Sequence, residues 1–67
     1  MMSDQLRKVC RELNGLRDLR IEFSQAPTCI VKKALLIPEE ADGLVKVTDG
    51  SHVYIVDAER VAWIEIG

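Results

Sequence analysis

Aromatic side chains are nearly missing from this chain: one Trp, one Tyr and one Phe make up 4% of its 67 residues. Any core must therefore be aliphatic, and the 48% hydrophobic content is too high for a disordered tail. Cysteine is scarce as well. Cys10 and Cys29 allow at most one bridge and form no C-x-x-C pair, and with a single His they do not make a tetrahedral metal set. No apolar run approaches membrane-spanning length, and Met1 to Leu6 is too polar for a secretory leader. The expectation is a cytoplasmic protein with reduced, buried thiols, no metal, no cofactor and no membrane partner. Glycine-rich phosphate loops and paired catalytic carboxylates are absent, and Glu39-Glu40 reads as a charged turn, so an enzyme is not expected.

What is present is order. "SDQLRKVCRELNG" places Leu6, Val9, Cys10 and Leu13 on one stripe at helical spacing, predicting a helix over about 3–15. Ser3 or Asp4 is placed to accept from its first free amides, and Gly15 to end it. Asp4 with Lys8, and Lys8 with Glu12, are spaced for favourable pairs one turn apart. Five strands follow, at about 18–25, 29–37, 43–48, 51–56 and 61–66. Leu19, Ile21 and Phe23 alternate with Arg20 and Glu22; Pro27 interrupts; "CIVKKALLI" is apolar on both faces. Val45 and Val47 point inward around an outward Lys46, and Asp49-Gly50 suits a tight hairpin. All 67 residues read as one domain. So many short strands in so few residues predict a mainly β fold with one N-terminal helix: a small, strongly bent, five-stranded antiparallel barrel, since curling removes exposed edges. A flat sheet with the helix across one face is the alternative.

A chain this short buries only about 60% of its unfolded surface, and oligomerisation is the remaining way to add burial. Charge is divided along it. Residues 1–33 hold seven Lys/Arg against four Asp/Glu, a balance of +3; residues 34–67 hold two against seven, a balance of −5. Arg7, Lys8, Arg11, Arg17 and Arg20, with Lys32 and Lys33, are the candidates for a nucleic-acid or acidic partner. Intersubunit pairing with Glu39, Glu40 or Asp42, or plain solvation, would explain them equally. The closing cluster of His52, Tyr54 and Trp63 has two readings. Tyr54 and Trp63 either stack on bases or fill gaps in an aliphatic sheet, and the few cations around them favour packing. By alternation Trp63 shares a face with Val61, away from Ala62, Ile64 and Ile66. His52 beside Ser51 and Asp49 lies on a turn whose neighbours do not converge as a catalytic set.

Helix, three strands, a fourth strand, the short break Val56-Asp57-Ala58-Glu59-Arg60 and a fifth strand together resemble the Sm-like family of small barrels, with SH3-type barrels sharing the strand order. The resemblance spans nearly the whole chain in element order. It implies that the break is one helical turn touching nucleotides, and that strands four and five pair with neighbouring copies to close a homo-oligomeric ring that binds single-stranded RNA. The residues it marks between Tyr54 and Ile64 are Tyr54 and Arg60 for RNA, and Tyr54, Val56, Val61, Trp63 and Ile64 for the interface. The sequence departs from the family where Asp57-Ala58-Glu59 replaces a basic or Arg-Gly signature, and where Lys33-Ala34 stands in the region of a characteristic glycine. The alternative function is a structural or adaptor module that binds protein and no nucleic acid.

Overall fold

Helix α1 spans Ser3–Cys10 in a computed structural model that describes residues 1–67. Its cap is Met2 rather than Ser3 or Asp4, and Asp4 instead lies in the first turn, where a carboxylate suits the helix dipole. The helix stops five residues short of the expected end. The Leu13 amide donates to the Cys10 carbonyl, tightening the chain, and Gly15, at φ +82°, turns it toward the sheets. The buried stripe is Leu6, Arg7, Cys10 and Leu13, while Val9 lies outside it. An arginine displaces the expected valine because its guanidinium reaches the carbonyls of Gly43 and Leu44, at 3.2 and 3.4 Å.

Six strands follow: β1 Leu19–Phe23, β2 Ala26–Val31, β3 Leu35–Leu36, β4 Val45–Thr48, β5 Val53–Val56 and β6 Val61–Ile66, with a 3-10 turn at Ala58–Arg60 between the last two. They form two separate three-stranded antiparallel sheets, ordered β2-β1-β6 and β3-β4-β5. Neither sheet closes. The closed five-stranded barrel expected from the sequence is therefore not what this chain builds, nor is it one flat sheet.

The physical reason lies at residues 32–34. The run 29–37 reads as one strand, but Lys33 takes φ +47°, a left-handed conformation that ends β2 at Val31. Beyond it, the Ala34 amide donates to the Arg17 carbonyl at 2.8 Å, and its carbonyl accepts from Gly15. Asp18 secures the same joint, its carboxylate accepting from the Lys33 amide and the Lys32 ammonium. At the other end β2 starts earlier than expected, at Ala26; Pro27 is accommodated because β2 is an edge strand, where a missing amide breaks no ladder.

Leu19, Ile21, Val31, Ala34, Val45 and Val47 meet Leu6 and Cys10 of the helix to form the aliphatic core. Burial pushes the Cys10 thiol up to about 11, so it stays protonated. At 4557 Å² the accessible surface exceeds the roughly 4,200 Å² usual for a folded monomer of this mass. The excess is small.

Candidate functional site

Antiparallel pairing decides what β5 offers. In β4–β5, Val45 faces Val56 and Val47 faces Tyr54 on the inner side, while Lys46 faces Ile55 and Thr48 faces Val53 on the outer side. Val53 and Ile55 are 58% and 62% exposed. Leu35, opposite Thr48 on β3, extends the same outer apolar surface. The Asp49 amide donates to the His52 carbonyl at the hairpin, so alternation turns the backbone groups of Val53 and Ile55 away from β4. No strand pairs with that side of β5.

Strand β6 is the matching edge of the other sheet. The Gly67 amide donates to Asp18, and the alternation that follows turns the backbone of Ile64 and Ile66 to the open side. Trp63 faces Glu22 and Val61 faces Phe23, leaving Ala62 as an extra residue. This β-bulge overrides simple alternation. Val61 points into the core, Trp63 points out at 48% exposure, and the Arg20 guanidinium lies 5.6 Å from the indole centre. Ile64 and Ile66 are half-buried on the inner face.

The residues proposed from sequence for an interface thus divide. Tyr54, Trp63 and Ile64 retain exposed surface at or beside the two open edges, whereas Val56 and Val61 are buried in this chain's own core and offer none. Sequence reasoning passed over Val53, Ile55 and Leu35. The signal was available in "HVYIV", which is apolar on both faces of a two-residue period.

The cations also divide. Arg7 is buried and committed to the 43–44 carbonyls. Lys32 pairs with Asp18 at 3.1 Å, Arg60 with Asp57 at 3.3 Å and Arg20 with Glu22 at 3.0 Å. Lys46 is held by Glu40 and Asp42 at 2.8 and 2.6 Å. Lys8, Arg11, Arg17 and Lys33 are exposed and have no ion-pair partner, so neither helical pair expected of Lys8 forms. Arg17 and Lys33 come together at the joint between the sheets, while Lys8 and Arg11 stay on the helix.

The polar cluster around Asp49, His52 and Tyr54 is a turn. Asp49 Oδ1 accepts from the amides of Ser51 and His52, and Oδ2 contacts His52 Nδ1 at 3.2 Å and accepts from the Tyr54 hydroxyl at 3.3 Å. The two amides, with His52, hold the Asp49 carboxyl far below the usual carboxylate range. Desolvation, then the Asp49 charge, raises the Tyr54 phenol. Asp49 uses both oxygens to shape the hairpin, fixing where β5 runs. No group of three or more His, Cys, Asp or Glu side chains converges on a point that would hold a metal, and no helix is long and apolar enough to cross a membrane. Compared with models of protein families, with curated proteins and with solved structures, the chain matches none.

Proposed function

We propose that this protein is a self-assembling β module without enzymatic activity, in which the β5 edge of one copy pairs with the β6 edge of the next. The observation that carries the reading is the pair of open, apolar edges: Val53 and Ile55 beside one, Trp63 beside the other, with Ile64 and Ile66 behind it. Natural sheets blunt open edges with proline, lysine or short length. Here β5, though only four residues long, carries no charge and no proline, and the six-residue β6 carries only Glu65. Pairing two different edges is head-to-tail, and such contacts close into rings or run on as filaments according to the rotation between copies. This is the assembly implied by the resemblance to the Sm-like family, reached here through open sheets instead of a barrel.

Mass in solution across a dilution series tests it, with the emission of Trp63 followed in parallel because it is the only indole. Assembly predicts a defined oligomer at high concentration, with emission moving to the red as the indole meets water on dilution. A monomer at every concentration would remove the proposal.

A second reading, binding of single-stranded RNA by the assembled protein, is supported by the four unpaired cations Lys8, Arg11, Arg17 and Lys33. Four phosphate contacts give a slope of about −3 in log affinity against log salt, at roughly −0.7 per contact. An anisotropy titration with an RNA oligomer at two salt concentrations reads that slope, and an absence of binding at low salt removes this reading while leaving assembly intact.

A further inference from the structure

We infer that the cleft between α1 and the 36–39 segment is a binding site for a carboxylate carried on a small apolar body. The cleft holds about 360 Å³ and is lined by Arg7, Arg11, Leu13, Leu36, Pro38 and Glu39. That is the low end of ligand-pocket volumes, suited to a small molecule.

Two arginines one turn apart on a helix repel each other, and Arg11 has no ion-pair partner in this chain to offset that. Arg7 is an unfinished arrangement in its own right. Its side chain is 95% buried, and its Nε is the one buried side-chain nitrogen or oxygen in the protein with no hydrogen-bond partner. Its remaining contacts are long: Nη2 donates to the Gly43 and Leu44 carbonyls at 3.2 and 3.4 Å, and Nη1 lies 3.4 Å from Asp4 and 3.7 Å from Glu39. Charge-assisted bonds settle at about 2.7–2.9 Å. Both carboxylates lie beyond that range and Nε has no partner, so the buried guanidinium is under-coordinated, and an added anion would relieve it.

Glu39 shows what kind of anion belongs there. Its carboxylate approaches Arg7 from the mouth of the cleft, is 59% exposed and is too distant for a hydrogen bond. It acts as a loosely held internal occupant. A free carboxylate moving into the cleft would displace it to water, meeting the fork of Arg11 on one side and Arg7 on the other. The other wall is apolar: Leu13 is buried, Leu36 half-buried, and Pro38 rigid. That wall selects a carboxylate with a hydrocarbon body over a bare inorganic anion.

Benzoate is the probe, with acetate and chloride at matched ionic strength as comparisons. In nitrogen–proton correlation spectra of the whole chain, benzoate should produce saturable shifts at the side-chain Nε signals of Arg7 and Arg11 and at the amides of Leu13, Leu36 and Glu39, with acetate weaker. Arg11→Ala, at an exposed position, should weaken benzoate roughly tenfold, the worth of one charge-assisted hydrogen bond. Glu39→Gln removes the internal competitor and should tighten binding severalfold. Absence of saturable shifts with benzoate overturns the proposal, as does unchanged affinity in Arg11→Ala or weaker affinity in Glu39→Gln. The spectrum itself reports whether each variant is folded, and the glutamine arm decides the matter should the alanine variant unfold.

Discussion

Replacing Ile55 by lysine separates assembly from folding. Ile55 lies on the outer face of β5 and is 62% exposed, so little more than a third of it is covered within one copy. Fully burying an isoleucine is worth about 1.5–3 kcal/mol, so Ile55→Lys costs the isolated fold only about 0.5–1 kcal/mol. Its neighbour across the pair is Lys46, whose charge is already balanced by Glu40 and Asp42, which limits added repulsion. In an edge-to-edge assembly the exposed part would be covered, so the same change removes about 1–2 kcal/mol per contact and forces an ammonium against an apolar edge. At 1.4 kcal/mol per tenfold, dissociation constants should rise about tenfold or more. Sedimentation of wild type, Ile55→Lys and Leu16→Lys over one concentration range is the assay. Leu16 is 78% exposed and lies in neither edge, so its variant should assemble like the wild type. If Ile55→Lys keeps the wild-type mass at every concentration, or Leu16→Lys loses mass equally, the edge reasoning is wrong.

Ile21 has no exposed surface in the central strand of its sheet, so Ile21→Ala should cost about 2–5 kcal/mol, much of the stability of so small a domain; urea unfolding reads it, and a loss below about 1 kcal/mol would contradict the core described above. Lys33→Gly should be neutral or stabilising by up to about 1 kcal/mol, because glycine accepts φ +47° without strain. Lys33→Val should instead destabilise by about 1–2 kcal/mol, lowering the melting temperature by several degrees, and a tolerated valine would mean the joint is not left-handed. Asp49 has a folded-state pKa below its unfolded value of about 3.9, so its contribution is present above that pH and lost as pH falls below it. Thermal melts of Asp49→Asn should therefore lose less stability than wild type in strong acid, and equal losses would place the effect elsewhere. The Cys10 thiol, pushed up to about 11, contributes stability below its unfolded value of about 8.5 that is lost as pH rises through the folded one. Native protein should accordingly react with thiol reagents at Cys10 only on unfolding, and rapid labelling of the folded chain would refute its burial.

Periodicity and side-chain chemistry alone made several features legible. The 3.6-residue spacing of Leu6, Cys10 and Leu13 marks a helix wherever it packs, and the two-residue alternation of Leu19, Ile21 and Phe23, or of Val45 and Val47, marks strands with one apolar side. The Asp49-Gly50 hairpin is equally local, since its hydrogen bonds run within four residues. The apolar character of both faces of 53–56 was also there to be read, though only the free side of β5 gives it meaning.

Other features depend on residues distant in sequence. Arg7 looks like a solvated helix cation until the 43–44 carbonyls, 36 and 37 positions away, draw it inward. "CIVKKALLI" has the composition of one strand, and it breaks at Lys33 because Asp18 and Arg17 offer its backbone better hydrogen-bond partners there. Trp63 shares an alternation face with Val61, and the extra residue in the pairing with β1 separates them. Local pattern determined which kind of element a segment favours, because backbone sterics and apolar spacing act over a few residues. Tertiary structure decided that they form two open sheets rather than a closed barrel, because register, bulges and the capture of a loop carbonyl or carboxylate are settled only when remote segments meet.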